Sequence, residues 1–185
     1  MICGDTTIHI DLNRLGRNLD KVRRMAGENV AVMAVIKANA YGHGALKLAP
    51  VLLDHGAAYL AVARLEEALP LRKENPDAPL FVLGYTPDRL LEMAVANRIT
   101  LTIFSAHQAR LLSEAAQKHH MKATVHLKVE TGFNRLGTSD ADELRAILRM
   151  PHLNAEGIYS HLALKDRKSD ELQLERFLHI VDLLE

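Results

Sequence analysis

The sequence of 185 residues predicts an α/β fold built on a parallel β-sheet. Short apolar runs alternate along it with longer segments in which apolar residues recur every three or four positions. The run at residues 30–36 contains no polar side chain, which is typical of a strand that is buried on both faces. Because strands that alternate regularly with helices usually run in the same direction, the pattern favours parallel pairing.

The predicted elements follow one another in a regular order. An extended piece at residues 6–12 and a helix at 13–26 precede the first buried strand. Buried strands are predicted at residues 30–36, 59–63, 80–83, 100–104, 124–129 and 155–159. Helices are predicted after them at residues 45–55, 65–74, 87–97, 106–120, 140–150 and 170–184. Ser105 suits the N-cap of one of these helices, and Pro87 suits the first turn of another.

The spacing of these units predicts the architecture. Six strand–helix units follow from residue 30 onward. Units of roughly 20–30 residues are typical of a (β/α)₈ barrel. We therefore expect a TIM-type barrel of which only about six βα units are present in this chain. A doubly wound open sheet would give the same pattern, so periodicity alone leaves both architectures open.

Composition argues against several classes of partner. Lys and Arg together number 23, as do Asp and Glu, so the chain lacks the basic surplus that is usual for binding nucleic acid or a membrane surface. No apolar run is long enough to cross a bilayer, and the first residues do not resemble a signal peptide. Cys3 is the only cysteine, and no ligand spacing indicates a metal site. We expect a cytoplasmic protein without bound metal.

The segment with the clearest chemical meaning is Val-Ile-Lys-Ala-Asn-Ala-Tyr-Gly-His-Gly at residues 35–44. Lys37 follows a buried strand directly, at the end where parallel βα folds build their sites. Its amine could form a Schiff base, and the Tyr41 hydroxyl could bind an anion. Gly42 and Gly44 would let the backbone approach a ligand closely. From the residues alone, a lysine that extends into solvent at a strand end is about equally plausible.

These ten residues resemble the cofactor-lysine signature of alanine racemases. The resemblance implies that pyridoxal 5'-phosphate is held as an internal aldimine on Lys37 and that Tyr41 contacts its phosphate. It also implies that Lys37 exchanges a proton with the substrate and is therefore catalytic.

Two later segments are similar to the same family. Residues 126–137, His-Leu-Lys-Val-Glu-Thr-Gly-Phe-Asn-Arg-Leu-Gly, resemble the loop whose arginine contacts the phenolic oxygen of the cofactor and receives the substrate carboxylate. That role falls on Arg135, and Lys128 matches a lysine that is carbamylated in some members. Phe133 stands where methionine is more usual. His161, in Gly-Ile-Tyr-Ser-His at residues 157–161, matches a histidine near the cofactor ring, so the resemblance makes Arg135 and His161 catalytic and cofactor-binding residues.

The resemblance covers the whole chain and implies a function for the protein that contains it. Residues 1–185 would be the N-terminal barrel domain of a racemase, an isomerase that interconverts L- and D-alanine and supplies D-alanine for peptidoglycan. Two more βα units, a C-terminal β-domain and a second catalytic base from the partner subunit of a homodimer would lie outside these residues. Three alternatives stay open: a serine or broad-specificity racemase, a catalytically inactive fragment that binds the cofactor, and a cofactor-carrier protein on the same barrel.

Overall fold

A computed structural model describes residues 7–184 of the chain. Its strands are β1 Met33–Val35, β2 Tyr59–Val62, β3 Leu80–Val82, β4 Thr100–Ile103, β5 Ala123–Lys128 and β6 Leu153–Tyr159. Its helices are α1 Leu12–Ala26, α2 Ala45–Asp54, α3 Leu65–Glu74, α4 Leu91–Ala96, α5 Ala106–Lys118, α6 Ala141–Leu148 and α7 Arg167–Leu184. A single helical turn, Lys37–Tyr41, follows β1, and a short 3₁₀ turn, Asp88–Leu90, precedes α4.

The order of the strands distinguishes the two architectures that the sequence left open. Each strand pairs in parallel with the next one along the chain, from β1 to β6. A doubly wound sheet reverses its strand order at a switch point, whereas a barrel adds strands in one direction. The fold prediction of a (β/α)₈-type barrel with six βα units in this chain is therefore confirmed.

The sheet curls strongly. This is evident because side chains from strands that are not neighbours meet on its inner face. The hydroxyl of Tyr59 on β2 donates to the carboxylate of Glu156 on β6, four strands away in the sheet order. The hydroxyls of Thr102 on β4 and Tyr159 on β6 lie 2.7 Å apart. Alternate strands contribute to one layer of a barrel interior in this way. Branched apolar residues usually fill such layers, whereas here hydrogen-bonded polar and aromatic groups do.

One irregularity interrupts the pairing of the last two strands. Val125 is paired with Ala155, but His126 is paired with Gly157, so Glu156 has no opposite residue on β5. A β-bulge of this kind inserts one residue into a strand and alters which later side chains face each side of the sheet.

The outer face of the sheet packs against the apolar sides of the helices. This layer includes fully buried side chains from strands and helices alike: Leu60, Val62, Leu65, Ile103, Leu112 and Leu144. Ser105 caps α5 as predicted, since its hydroxyl accepts from the amide of Gln108 at 3.2 Å. None of the helices between residues 7 and 184 is long and apolar enough to cross a membrane.

The structure corrects the prediction at the start of the chain. Thr6 lies outside the described residues, and residues 7–11 form no strand, although the sequence predicted an extended strand at 6–12. A strand needs a partner strand to satisfy its backbone groups. Asp11 instead forms a hydrogen bond with a residue close to it in the sequence. Its carboxylate accepts from the amide of Arg14 at 2.9 Å and caps α1, which begins at Leu12. The hydrogen bond from the Arg14 amide also lowers the pKa of Asp11.

Arg72 on α3 holds the turns at the amino-terminal rim of the sheet. Its guanidinium donates to the carbonyls of Pro76 and Ala78, each at 2.7 Å, just before β3. It also donates to the carbonyls of Asn97 at 2.9 Å and Arg98 at 2.8 Å, just before β4. One planar cation therefore supplies donors to carbonyls in two turns that would otherwise depend on water.

Replacing Arg72 with Met should destabilise the fold by about 2–3 kcal/mol, because carbonyls in two turns lose a charged donor. Urea denaturation followed by circular dichroism measures this change. The matched control is Arg89→Met, at an exposed arginine in the 3₁₀ turn before α4. Equal losses in the two variants would contradict a structural role for Arg72.

Candidate active site

A cleft of about 460 Å³ opens at the carboxyl-terminal rim of the strands. All five site residues predicted from the sequence line it: Lys37, Tyr41, Lys128, Arg135 and His161. The remaining wall is formed by Val35, Ala63, Leu83, Gly84, Leu136, Tyr159 and Ser160. Lys37 and His161 therefore line the same cleft, although they are more than 120 positions apart in the sequence.

Lys37 enters this cleft from an unusual backbone conformation. The amide of Ile36 still donates to the carbonyl of Ala61 on β2 at 2.8 Å, so the sheet pairing extends to the residue before Lys37. The next four residues, 38–41, have φ between 51° and 55°, which makes the segment a left-handed helical turn. Each non-glycine residue in this conformation costs roughly 1–2 kcal/mol. The turn therefore needs support from its surroundings.

Part of this support comes from Asn39 and the glycines that follow. The side-chain oxygen of Asn39 accepts from the amide of Ala45, the first residue of α2, at 2.8 Å. Gly42 and Gly44 have φ of 87° and 94°, so both continue the left-handed path where a side chain would add strain. These glycines thus carry the chain from the turn into α2, and their predicted role in letting the backbone approach a ligand stays a prediction.

Lys128 is the most buried of the predicted residues. Only 5% of it is exposed, and its Nζ has no hydrogen-bond partner among residues 7–184. The amine lies 4.3 Å from the ring centroid of Tyr159, within the range of a cation–π contact. Burial, followed by the positive charge of Arg135, lowers the pKa of Lys128 to about 8, although Glu130 opposes the shift. About a tenth of this amine is therefore uncharged at pH 7, far more than for an ordinary lysine.

Tyr159 also lines the cleft, although the sequence predicts only that it ends a strand. Its hydroxyl donates to the carbonyl of Leu83 at 3.3 Å and contacts Thr102 at 2.7 Å, so the ring is held against Lys128. Burial raises the pKa of Tyr159. Helical and strand periodicity cannot identify it, because both contacts are to residues distant in sequence.

Arg135 projects from a loop that a carboxylate organises. The side chain of Glu130 accepts from the amides of Gly132 at 2.5 Å and Arg135 at 3.4 Å. Burial raises the pKa of Glu130, but the backbone amides of residues 132–135, that of Asn134 most of all, together lower it by more, so the net shift is downward. At the end of the loop, a side chain at Gly137 would approach the amide of Glu130 at 2.8 Å. Only glycine allows the loop to close this tightly.

The phenyl ring of Phe133 lies between the side chains of Arg135 and His161. The guanidinium carbon of Arg135 lies 4.5 Å from the ring centroid of Phe133, and the imidazole of His161 meets the same ring edge-on at 4.6 Å. Ser160, next to His161, contacts the Thr131 hydroxyl at 2.8 Å and so ties the end of β6 to this loop. Phe133, the position that departs from the family pattern, thus separates two of the predicted site residues.

His161 is surrounded by positive charge. Its pKa is lowered first by burial and then by the charges of Arg135, Lys128 and Lys37. The imidazole is therefore neutral at pH 7, and one of its nitrogens can accept a hydrogen bond. Among residues 7–184, no group of three His, Cys, Asp or Glu side chains is arranged to hold a metal ion.

The sequence matches a family described as "Alanine racemase, N-terminal domain" over residues 10–185. The chain belongs to the alanine racemase family. It is 41% identical over 184 residues to the alanine racemase of Desulforamulus reducens, covering 95% of this chain and 50% of that protein. It is 38% identical over 183 residues to alanine racemase 2 of Caldanaerobacter subterraneus, covering 97% of this chain and 47% of that protein.

Solved structures of alanine racemases have the same fold. The enzyme of Clostridium difficile 630 in complex with cycloserine superimposes with a TM-score of 0.87 at 32% identity, over 92% of this chain and 48% of that chain. That of Bacillus anthracis with bound L-Ala-P gives a TM-score of 0.85 at 32% identity, over 95% of this chain and 47% of that chain. The chain spans about half the length of the alanine racemases that it matches.

The charges around His161 lead to a pH-dependent prediction. The histidine should titrate below its ordinary value of 6.5, and Arg135→Gln should raise its midpoint because one neighbouring positive charge is removed. Since the folded imidazole binds its proton less readily than the unfolded one, its contribution to stability is present above pH 6.5. It is lost as the pH falls from there towards the folded pKa.

Imidazole proton resonances recorded by NMR between pH 4 and pH 8, roughly the range over which histidine titrates, give the midpoint. The control is Arg149→Gln, which removes the same charge at the end of α6. A midpoint at or above 6.5, or one that Arg135→Gln leaves unchanged, would contradict the electrostatic description.

Proposed function

We propose that this chain is the cofactor-carrying domain of a pyridoxal-phosphate-dependent alanine racemase, an isomerase acting on a small amino acid. The observation that carries the proposal is that Lys37 shares one cleft with Tyr41, Lys128, Arg135 and His161. Membership of the alanine racemase family supports it independently.

The residues that line the cleft fit an anionic cofactor. Lys37, Lys128 and Arg135 bring three cationic side chains to one space, and their charges together lower the pKa of His161. The buried Nζ of Lys128 has no hydrogen-bond partner in the part of the chain that the structure describes. A phosphate and a phenolic oxygen are the kinds of group that such donors bind. When bound, pyridoxal phosphate would withdraw the electrons left behind after a proton is removed from the α-carbon of an amino acid.

The chain's own residues would divide the remaining work. Lys37 would hold the cofactor through its amine and, once released by the substrate amine, would move a proton to or from the α-carbon with Nζ. The Tyr41 hydroxyl, on the turn that Lys37 begins, would donate a hydrogen bond to the phosphate. The planar guanidinium of Arg135 would bind the phenolic oxygen and orient the carboxylate of the amino acid.

His161 and Lys128, which line the cleft together with Arg135, would have different roles. The neutral imidazole of His161 would pack near the cofactor ring without adding another charge. A carbamate on Lys128 would convert a buried cation into an anion, which could accept from the guanidinium of Arg135. The lowered pKa of Lys128, about 8, supports this modification, because only the uncharged amine reacts with carbon dioxide.

The wider role follows from family membership. We propose that residues 1–185 form the N-terminal barrel domain of a cytoplasmic homodimeric enzyme that has a C-terminal β-domain. Its product, D-alanine, would supply peptidoglycan synthesis. Alanine is proposed as the substrate in preference to serine because the family and the matched relatives are named for alanine.

The first test is incubation with pyridoxal phosphate, followed by borohydride reduction and peptide mapping. The pyridoxyl group should appear on Lys37 in the natural sequence and in the control Lys47→Ala, an exposed lysine of α2. It should be absent from that peptide in Lys37→Ala. Labelling scattered over surface lysines would contradict the assignment of the cofactor lysine.

Lys128 has a separate test by intact mass. In bicarbonate buffer near pH 8, the natural sequence should gain the mass of one carbon dioxide, whereas Lys128→Met should not. Spectra must be recorded without acid, because acid releases carbon dioxide from carbamates. Lys122→Met, at an exposed position, is the control and should gain the same mass as the natural sequence. An unmodified Lys128 under these conditions would overturn the carbamate proposal but not the cofactor assignment.

A further inference from the structure

The backbone beside Lys37 has a second support, on a different helix. The amide of Ala38 is the first N–H of the left-handed turn, and it donates to Oε1 of Glu67 at 2.7 Å. Glu67 belongs to α3, which follows β2. Because Ala38 N and the Lys37 carbonyl are parts of one planar peptide unit, this bond fixes the orientation of the chain directly after the Lys37 Cα.

The other oxygen of the same carboxylate binds a different loop. Oε2 of Glu67 accepts from the amides of Ala63 at 2.7 Å and Arg64 at 3.1 Å, in the turn between β2 and α3. One carboxylate therefore connects the loops that follow β1 and β2. Lys37 and Ala63, which lie in these two loops, both line the cleft.

We infer that Glu67 is a positioning residue for Lys37, which deepens the proposed function and rests on it. A glutamate near the start of a helix often accepts from the amide of the N-cap residue, and its Oε2 does so here. Helix capping alone does not require the bond to Ala38, which comes from a separate loop 29 positions earlier. That bond restrains a turn whose four left-handed residues are intrinsically unfavourable.

Other side chains near the turn could also have restrained its entry, but their hydrogen bonds are formed with other parts of the backbone. Asn39 binds the amide of Ala45, beyond the turn, and His43 contacts the carbonyl of Ala40. Both stabilise the exit of the turn towards α2. Only Glu67, among the described residues, accepts from the Ala38 amide at its entry. The amine of Lys37 depends on the entry, because its side chain begins there.

The test compares Glu67→Gln with Glu66→Gln. Glutamine at 67 keeps the shape of the side chain but offers one acceptor in place of two, so an amide must lose its partner. Glu66 is exposed in the same helical turn, and its replacement removes the same charge without altering the bonds of Glu67. Hydrogen exchange of the Ala38 amide in the cofactor-free chain is measured first, by NMR. The rate at which pyridoxal phosphate becomes fixed to Lys37 under borohydride is measured next.

In Glu67→Gln the Ala38 amide should exchange roughly tenfold faster, as expected for the loss of one bond to a charged acceptor. Labelling of Lys37 should slow by a similar factor. Both values should remain unchanged in Glu66→Gln. Exchange at Ala38 that equals that of the natural sequence would overturn the inference, because Glu67 would then only cap its helix. Faster exchange with an unaltered labelling rate would also overturn it, because Glu67 would then hold the turn without positioning Lys37.

A second variant covers the case in which Glu67→Gln does not fold. Glu67→Asp keeps a carboxylate at the start of α3 but is one methylene shorter, so it cannot reach both loops. It should reproduce the faster exchange and the slower labelling. If the natural sequence itself fails to label at Lys37, the proposed function fails, whereas the exchange comparison in the cofactor-free chain still determines whether Glu67 holds the turn.

Discussion

Parallel pairing between each strand and the next requires the chain to return along the outside of the sheet after every strand. In this protein the return path is taken by helices whose apolar faces cover the outer side of the sheet. All six carboxyl-terminal strand ends consequently lie on one rim. Lys37 after β1, Lys128 at the end of β5 and His161 after β6 meet there, although no local interaction joins them in the sequence.

The positive charge of this rim depends on which groups its carboxylates bind. The chain as a whole has no formal net charge, yet its cleft gathers Lys37, Lys128 and Arg135. Glu67 and Glu130 lie close by, but their oxygens are occupied by backbone amides and form no ion pairs with these cations. The two carboxylates thus hold the loops in shape and do not neutralise the cationic side chains, which suits the anionic cofactor that we propose.

Most of the fold was predictable because each helix and strand carries its own periodicity. Apolar runs located all six strands to within a few residues, and Ser105 marked the start of α5. The prediction that every strand is buried was wrong for β1 and β6, which are partly exposed because each has a neighbouring strand on one side only. The extended piece at 6–12 was predicted wrongly, since a strand depends on a partner that a local pattern cannot reveal. The helix predicted at 87–97 begins as a 3₁₀ turn, and the one predicted at 170–184 begins at Arg167.

The site was predictable only in part. The family resemblance identified the five residues of the site, but it did not predict which groups they contact. Periodicity could not predict the left-handed turn at 38–41, because Ala and Tyr rarely adopt positive φ and the support comes from another helix. For the same reason Glu67 looked like an ordinary residue of a helix, and Tyr159 like the end of a strand. Bonds between elements distant in sequence gave these residues their roles.

The unmatched Glu156 in β6 has a consequence for how this sheet could change over time. Before it, Asn154 is paired with Thr124 and shares a face with it; after it, Gly157 and Tyr159 take that face opposite His126 and Lys128. The inward positions thus pass from even to odd numbers, which brings Tyr159 to the cleft and turns Ile158 outward. Deleting a single residue here would leave the composition of β6 almost intact but exchange its two sides. Insertions and deletions in this strand are therefore far less tolerable than substitutions.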